Sequence, residues 1–290
     1  MCVTCGCSDT DGAKLTDLAT GQTIDLSDMH EQEHHPHEHV HANDHGHSHV
    51  HDHAHPHVHD HHHPRMHGKT KTLELEQQIL ARNDSLAQLN RGWLAGRNIL
   101  ALNLVSSPGA GKTSLLERTI RDLGREMRIS VIEGDQQTLN DAERIQATGC
   151  RVVQINTGTA CHLDAGMVAR GLEQLKPPAD STVMIENVGN LVCPALFDLG
   201  ERAKVVIMSV TEGEDKPIKY PHMFRASSLM ILNKIDLLPY VQFNVERCLA
   251  YARQVNPALE IVQLSATQGE GLKDWYRWLS GWRTAPKTVG

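Results

Sequence analysis

The sequence predicts an α/β protein with a mostly parallel central sheet that is covered by helices on both faces and preceded by a disordered histidine-rich arm. From Asn98 onward, short apolar runs alternate with amphipathic helical stripes, and this alternation is typical of parallel strands joined by helices. The first 67 residues hold few large apolar side chains. Because such a segment cannot offset the entropy of ordering, we expect it to stay unfolded.

The composition divides the chain of 290 residues into four parts. We expect a flexible Cys/His-rich arm over 1–67, an amphipathic helical linker over 68–97, a nucleotide-binding domain over 98–285 and a tail over 286–290.

The linker helix is predicted over about residues 70 to 91 from its apolar spacing. Leu75, Ile79, Leu86 and Leu89 fall on one face of the helical wheel, and Arg82 interrupts that face. We therefore expect the helix to pack shallowly or against a partner.

Seven apolar runs of the C-terminal part are the expected strands of the sheet. They cover residues 99–105, 129–132, 152–155, 183–187, 205–210, 229–232 and 261–264. Three helical stripes begin at Leu115, Val245 and Leu272.

Charge and composition exclude several classes of protein. The formal net charge is −7 without a basic stripe, which argues against a nucleic-acid-binding protein. No apolar run approaches the roughly 18 residues that span a bilayer, and the N-terminus lacks the features of a signal peptide. The seven cysteines are an odd number, which favours thiol or metal chemistry over disulfides. We predict a cytoplasmic protein without membrane or nucleic-acid partners.

The segment Ser106-Ser-Pro-Gly-Ala-Gly-Lys-Thr113 follows a predicted strand and opens a predicted helix, which is the setting of a phosphate-binding loop. Its glycines let backbone N–H groups surround phosphate oxygens, Lys112 reaches the β- and γ-phosphates, and the Thr113 hydroxyl can ligate Mg²⁺. Ser106 stands where such loops usually have their first glycine. The residues expected to bind phosphate and Mg²⁺ are Gly109, Ala110, Gly111, Lys112, Thr113 and Ser114.

Two further segments predict that the base is guanine. Asp236, in Asn233-Lys-Ile-Asp236, can accept both N1–H and N2–H of guanine, whereas adenine would leave this acceptor unpaired. Asn233 is expected to bond the opposite edge of the base, with the Lys234 stem along its face. A backbone N–H from the segment Ser265, Ala266 and Thr267 is expected at guanine O6.

Carboxylates at strand ends are candidates for the Mg²⁺ and switch positions of a GTPase. Asp135 and Glu186 each end an apolar strand, and either can hold Mg²⁺ directly or through water. Glu133 competes with Asp135 for this role. Gly189 is expected to direct its N–H to the γ-phosphate, and with Lys112, Asp135 and Glu186 it completes the predicted catalytic set. No arginine finger is recognisable in the sequence, so we expect slow intrinsic hydrolysis.

Cys161, His162 and Cys193 form a candidate site for a softer metal. Two thiolates and an imidazole suit Zn²⁺ or Ni²⁺ and not Mg²⁺ or Ca²⁺. A fourth ligand would come from water or from a second copy of the chain. Cys193 is four residues beyond Gly189, so nucleotide state could move it directly. The alternative is two buried cysteines beside an unrelated histidine.

The N-terminal arm offers two further sets of ligands. Cys2, Cys5 and Cys7 are expected to bind Ni²⁺, with the freed amine of Cys2 as a further donor if Met1 is removed; the alternative is reactive free thiols. Eighteen of the 20 histidines lie between His30 and His67. They predict a store of metal ions, the alternative being a solubilising tail. The candidate ligands are His45, His47, His49, His51, His53, His55, His57, His59 and His61.

On these residues the chain resembles the HypB family, the P-loop GTPases that incorporate nickel into hydrogenase. The resemblance covers about 98–283 and the cysteine motif, and its marks are Cys2-x-x-Cys-Gly-Cys7, Ser106–Thr113, Glu133-Gly-Asp-Gln-Gln137, Cys161-His-Leu-Asp164, Glu186-Asn-Val-Gly-Asn-Leu-Val-Cys193, Glu212-Gly-Glu-Asp-Lys216 and Asn233–Asp236. It implies a GTP-dependent homodimer with metal at the subunit interface.

The resemblance also implies nickel delivery to the [NiFe]-hydrogenase large subunit with a HypA-type nickel chaperone. The expected cofactors and cargo are GTP, Mg²⁺, Ni²⁺ and Zn²⁺. A urease-type nickel-insertion GTPase and a nickel storage protein are the alternative functions.

Overall fold

The computed structural model describes residues 12–26, 67–136 and 139–284. These residues form a nine-stranded sheet in the order β2-β1-β5-β4-β6-β3-β7-β8-β9. The strands are β1 (Lys14–Asp17), β2 (Gln22–Asp25), β3 (Leu100–Ser106), β4 (Ile129–Asp135), β5 (Arg151–Asn156), β6 (Thr182–Glu186), β7 (Ala203–Ser209), β8 (Leu229–Asn233) and β9 (Glu260–Gln263). The α-helices are α1 (His67–Gly96), α2 (Lys112–Leu123), α3 (Asn140–Gln146), α4 (Ala165–Leu175), α5 (Lys216–Lys219), α6 (Pro221–Ala226), α7 (Val245–Val255) and α8 (Leu272–Thr284). Two 3₁₀ helices cover Cys193–Ala195 and Ile235–Tyr240.

The predicted fold class is confirmed, and each of the seven predicted strands is present. Strands β3 to β9 pair in parallel, so their carboxyl ends meet at one edge of the sheet. One face of the sheet packs against α2, α3 and α8, and the other against α1, α4, α6 and α7. The sheet is therefore buried on both faces, which explains why its strands are continuous apolar runs in the sequence.

A hairpin lies inside the segment for which we predicted no folded structure. Strand β1 pairs antiparallel with β2 and with β5, with Leu15 opposite Ile155. Leu15 and Leu26 are buried against the face that packs on α4. The expectation of a wholly flexible arm over 1–67 is thus wrong for residues 12–26, because two four-residue strands gain stability from an existing sheet edge and not from their own composition. Cys2, Cys5, Cys7 and the predicted histidine ligands lie outside the described residues.

The predicted linker helix is present as α1, but its buried face differs from the predicted one. Leu89 is 70% exposed. The buried positions of the helix are Asn83, Ala87, Asn90 and Leu94, and the helix packs against α4. The apolar spacing failed as a guide because two buried asparagines bind main-chain groups there, so the buried face is partly polar. The side chain of Leu75 lies outside the described part of the chain.

In the part of the chain that the structure describes, no helix combines the length and apolar character needed to cross a bilayer.

Candidate functional site

The phosphate-binding loop lies at the carboxyl edge of the sheet, between the end of β3 and the start of α2. Gly109 and Gly111 have φ of 76° and 92°, which is the left-handed region that favours glycine. A Cβ on Gly111 would also clash with Asn233 Nδ2. The N-terminus of α2, with its unpaired backbone N–H groups, is therefore presented as an anion site.

Lys112, Thr113 and Glu186 meet directly behind this loop. Thr113 Oγ1 donates to Glu186 Oε1 at 2.7 Å, and Lys112 Nζ lies 3.3 Å from the same oxygen. The other carboxylate oxygen, Glu186 Oε2, is buried without a hydrogen-bond partner among the described residues. A hydroxyl beside a buried, partly unsatisfied carboxylate is an all-oxygen donor set, which fits a hard cation such as Mg²⁺.

Glu133 stands beside Glu186, since the two are register partners in β4 and β6. Burial raises the pKa of Glu133 to about 9, and the negative charges of Glu186 and Asp135 act in the same direction. Glu133 is therefore protonated at neutral pH in the absence of a cation. Asp135 is partly exposed at the end of β4 and accepts a hydrogen bond from its neighbour, Gln136 N, at 2.7 Å. This contrast favours Asp135 over Glu133 as the cation ligand.

Gly189, whose N–H we predicted to face the γ-phosphate, lies close to the phosphate-binding loop. A Cβ added to it would meet Pro108 Cγ at 3.1 Å. A side chain at this position would therefore push against the loop, so glycine allows the segment after Glu186 to approach it closely.

The predicted guanine-binding residues lie together beside the loop, and Asn233 also binds main-chain groups of its neighbours. Its Nδ2 donates to Ala110 O at 2.9 Å, and its Oδ1 accepts from Lys234 N and from Ala266 N at 2.8 and 3.1 Å. These bonds tie Asn233 to the main chain of two loops and use one of the two N–H groups of its side-chain amide. The predicted bond from Asn233 to the base therefore stays a prediction. The bond from Ala266 uses one of the three backbone N–H groups of segment 265–267 from which we expected a bond to guanine O6.

Asp236 keeps an acceptor available. Its Oδ1 is buried and has no hydrogen-bond partner among the described residues. Lys234 has φ of 63° and its Nζ donates to Gly109 O at 2.8 Å. Ser265 is buried, and its hydroxyl accepts from Gln268 N at 3.0 Å. An unsatisfied carboxylate oxygen at this position is what a base with two N–H donors requires.

Lys216 is a residue of this site to which the sequence analysis gave no role. Its ammonium group contacts the Ser107 hydroxyl of the phosphate-binding loop and the Glu212 carboxylate. Its role could have been predicted from the sequence, because the segment Glu212–Lys216 directly follows an apolar strand and so lies at the same sheet edge as the other motifs.

The three predicted soft-metal ligands are brought together by two separate segments. The ligand atoms of Cys161, His162 and Cys193 all lie within 4.8 Å of one another. Cys161 and His162 stand between β5 and α4, and Cys193 opens the 3₁₀ helix Cys193–Ala195. The gathering of three side chains from distant positions is the arrangement that a metal site requires.

The electrostatics of this cluster suit a metal ligand. His162 is 3% exposed, and burial lowers its pKa to about 4. The imidazole is therefore neutral at neutral pH, which is the form that binds metals. The ring of Phe197 packs on it with 4.0 Å between centroids. Val192 and Leu196, on either side of Cys193, are exposed apolar residues.

Helix α1 supports both segments that carry these ligands, a contact that apolar spacing could not reveal. Asn83 Oδ1 accepts from Ala165 N at 2.9 Å, and Asn83 Nδ2 donates to Asp198 O at 2.8 Å. Asn90 Nδ2 donates to Ala165 O and Leu199 O at 2.8 and 3.0 Å. The helix thus joins the chain beyond Cys161 and His162 to the chain beyond Cys193.

The other cysteines of the domain lie in the core. Cys248 is fully buried, and Cys150 is also buried. Burial raises the pKa of each thiol to about 12, so neither supplies a thiolate at neutral pH.

Comparison with known proteins matches this chain to a family of nucleotide-binding domains and to hydrogenase maturation factors. A family model described as "CobW/HypB/UreG, nucleotide-binding domain" matches residues 100–263. The hydrogenase maturation factor HypB of Escherichia coli (strain K12) is 57% identical over 215 residues, which are 74% of this chain and 74% of the relative. The probable hydrogenase maturation factor HypB of Methanocaldococcus jannaschii is 40% identical over 69% of this chain and 90% of its own length.

Two solved structures share the fold. The hydrogenase maturation factor HypB from Archaeoglobus fulgidus has a TM-score of 0.66 and 39% identity, covering 70% of this chain and all of its own. HypB from Helicobacter pylori, solved in complex with nickel, has a TM-score of 0.66 and 33% identity, covering 72% of this chain and 99% of its own.

Proposed function

This chain belongs to the CobW/HypB/UreG nucleotide-binding family, and we propose that it is a hydrogenase maturation factor, a GTPase that inserts nickel into [NiFe]-hydrogenase. The observation that carries the proposal is the presence, in one domain, of a phosphate-binding loop and a Cys-His-Cys cluster linked by the segment from Glu186 to Cys193. Overall similarity to HypB proteins supports it.

In the proposed GTPase site, the N-terminus of α2 and Lys112 bind the β- and γ-phosphates. Thr113, Glu186 and Asp135 would hold Mg²⁺, which supplies positive charge to the phosphate oxygens as the terminal phosphoryl group leaves. Gly189 places backbone near the γ-phosphate. Lys216, at the loop, adds a cationic group beside the phosphates.

Guanine selectivity is assigned to Asp236. The buried Oδ1 acceptor would pair with N1–H, and the second oxygen with N2–H. Adenine presents neither donor, so ATP would leave a buried acceptor without a partner, and this loss costs about 1–3 kcal/mol or more for a charged group.

The nickel that passes through the protein is its cargo, and we assign it to Cys161, His162 and Cys193. Three ligands leave at least one position for water or for a second copy of the chain, and the same donors also suit Zn²⁺. The exposed Val192 and Leu196 flank this position. We infer a GTP- or metal-dependent homodimer that meets at this surface, and partners that include a HypA-type chaperone and the hydrogenase large subunit.

The arm is assigned to nickel storage and first capture, through its histidines and through Cys2, Cys5 and Cys7. These residues lie outside the described part of the chain, so the assignment depends on ligand chemistry alone. The cytoplasmic location also remains a prediction from sequence.

The proposal is tested by measuring hydrolysis of GTP and ATP by the full chain, and transfer of Ni²⁺ to a nickel-free [NiFe]-hydrogenase large subunit. We expect Mg²⁺-dependent hydrolysis of GTP alone, and transfer that is faster with GTP than with GDP. A Lys112→Ala variant should lose both activities. Equal transfer by the unaltered chain and by Lys112→Ala would reject the GTPase role and leave a storage protein.

A further inference from the structure

Four polar side chains are buried on the side of the sheet that packs against α1 and α4, and nothing above gives them a role. They are Asn103 of β3, Asn187 after β6, Glu201 before β7 and Lys204 of β7, and their exposed fractions are 0, 1, 8 and 7%. Burying two amides and an ion pair is costly unless every polar atom finds a partner. The groups that these side chains bind therefore indicate why the protein buries them despite the cost in free energy.

The four side chains form one connected chain of contacts. Asn187 Nδ2 donates to Asn103 Oδ1 at 3.3 Å. Asn103 Nδ2 donates to Glu201 Oε1 at 3.0 Å. Lys204 Nζ lies 3.8 Å from the same Glu201 oxygen. We call this set the buried polar chain.

One end of the buried polar chain contacts the phosphate site and the first ligand segment. Lys112 Nζ donates to Asn187 O at 2.6 Å. The side-chain Oδ1 of Asn187 accepts from Leu163 N at 3.1 Å, and Leu163 directly follows His162. A single residue thus touches the lysine that reaches for phosphate and the backbone that carries two metal ligands.

The other end holds the second ligand segment. Lys204 Nζ donates to Pro194 O at 2.7 Å and to Phe197 O at 3.3 Å. Pro194 directly follows Cys193, and the ring of Phe197 packs on His162. Glu201 Oε2 accepts from Leu199 N at 2.7 Å, which fixes the chain between Phe197 and β7.

We propose that the buried polar chain couples occupancy of the phosphate site to the geometry of the Cys161–His162–Cys193 cluster, with Lys204 as the positioning residue for Cys193. The inference rests on the proposed function, because it takes Lys112 as a nucleotide ligand and the cluster as a nickel site. When phosphate oxygens engage Lys112, its bond to Asn187 O is given up or shared. Asn187 then shifts against both Leu163 N and Asn103, and the shift reaches Pro194 through Glu201 and Lys204.

The alternative is that the four residues only stabilise the fold. A buried ion pair gives little net stability, and well-packed apolar side chains of similar volume often serve as well. Apolar side chains could not make the hydrogen bonds to Leu163 N, Pro194 O and Phe197 O. These three groups all belong to the segments that carry the metal ligands.

The test measures occupancy of this cluster alone in the full chain. The protein is titrated with buffered Ni²⁺ in the presence of GDP or of a non-hydrolysable GTP analogue, and then treated with iodoacetamide. Peptide mass spectrometry gives the fraction of Cys161 and Cys193 that the metal protects, so binding by the arm does not contribute. In the unaltered chain we expect the apparent nickel affinities with the two nucleotides to differ on the order of tenfold.

Two variants interrupt the buried polar chain. Asn103→Ala removes the middle of the buried polar chain and leaves the bond from Lys204 to Pro194 O. We therefore expect a nickel affinity with GDP that is within about twofold of the unaltered value. The ratio of the nickel affinities with the two nucleotides, which we call the nucleotide ratio, should fall below about twofold. The double variant Glu201→Leu/Lys204→Met removes the hydrogen bonds to the segment that carries Cys193. We therefore expect weaker nickel binding with both nucleotides and the same nickel affinity with GDP as with the GTP analogue. If one of these variants unfolds at the assay temperature, the other one tests the inference.

The matched control is Asp17→Asn, which alters a residue that is 1% exposed and pairs with Gln174 and Arg151 near the other edge of the sheet. It should keep the full nucleotide ratio. A variant of the buried polar chain that also keeps the full ratio would overturn the inference. The inference would also be overturned if the unaltered chain hydrolysed GTP and nickel protected its Cys193, but the nickel affinity were the same with GDP and with the GTP analogue. In that case the proposed function would stand. Absence of GTP hydrolysis or of nickel protection would instead contradict the proposed function.

Discussion

At the scale of single residues, the chemistry of the site depends on a few atoms whose partners are missing among the described residues. Asp236 Oδ1 and Glu186 Oε2 are buried without hydrogen-bond partners. A buried acceptor of this kind costs stability, so its presence at two points of one edge indicates ligands with matching donors or charge.

The acceptor at Asp236 leads to a prediction about base specificity. Asp236→Asn replaces an acceptor by a donor that faces guanine N1–H, and we expect kcat/KM for GTP to fall by about 100-fold or more. Xanthosine triphosphate, which offers an oxygen in place of the N2 amine, should be hydrolysed better by the variant than by the unaltered chain. Steady-state kinetics with both nucleotides measures this. The exposed Asp274→Asn serves as control, and an unchanged GTP/XTP preference in Asp236→Asn would contradict the assignment.

The raised pKa of Glu133 leads to a prediction about stability. Because its pKa in the folded state is about 9, against about 4.3 when unfolded, the folded state holds the proton more tightly. Stability from this group is complete below about pH 4.3 and is lost as pH rises toward 9. Glu133→Gln should therefore raise the free energy of unfolding at pH 8 relative to the unaltered chain, by about 1 kcal/mol or more, and change it little at pH 4.5.

The measurement is urea unfolding at the two pH values without nucleotide and with a chelator of divalent ions. A gain from Glu133→Gln that is equal at both pH values would show that the side chain does not titrate as the structure requires.

At the scale of elements, the strands of the parallel sheet follow from the sequence, whereas the hairpin and the buried face of α1 do not. Apolar runs that are buried on both faces predict β3 to β9 well. Strands β1 and β2 are short, and their structure is decided by the pairing of β1 with β5 and of β2 with β1. The face of α1 was predicted wrongly because Asn83 and Asn90 are buried through hydrogen bonds that depend on residues more than 70 positions away.

The hairpin gives a prediction about the boundary of the folded domain. Leu15 is 1% exposed in the core, so Leu15→Ala should lower the free energy of unfolding by about 2–4 kcal/mol. Ile24→Ala, at a position that is 42% exposed in the same hairpin, should cost less than about 1 kcal/mol. Chemical denaturation of the full chain gives both values. Equal, small effects would mean that the hairpin does not belong to the folded domain.

At the scale of the whole molecule, the two functional centres lie on segments that leave one sheet edge and are joined by buried contacts. The phosphate-binding loop follows β3, the segment of Glu186 to Cys193 follows β6, and Cys161 and His162 follow β5. Since the carboxyl ends of parallel strands meet at one edge, the fold itself brings the nucleotide site and the metal cluster together.

The exposed apolar residues beside the cluster give a prediction about assembly. Val192 is 51% exposed, and a charge there would have to be desolvated if two copies meet at this surface. Val192→Asp should weaken dimerisation in the presence of the GTP analogue and nickel by about tenfold or more. Sedimentation velocity measures it. Leu89→Asp, at another exposed apolar position, is the control, and if both variants dimerise like the unaltered chain, the interface lies elsewhere.

The sequence by itself determined the chemistry of this protein. The spacing of glycines, lysine and threonine, the Asn-x-x-Asp pattern, and two cysteines with a histidine are patterns of residue type, and residue type decides which ligands these groups are able to bind. The parallel sheet could also be predicted from the order of strands and helices, because burial on both faces leaves a continuous apolar run that can be recognised within each segment.

The tertiary structure decided which of these residues touch and what holds them. It bound Asn233 to the main chain of two loops, placed Lys216 on the phosphate-binding loop, added a hairpin to the sheet, and connected Asn187 to Lys204 through two buried side chains. Each of these contacts joins residues that are far apart in sequence. Their energy depends on burial and on hydrogen-bond partners that exist only once the sheet has formed, so no pattern within a single segment can reveal them.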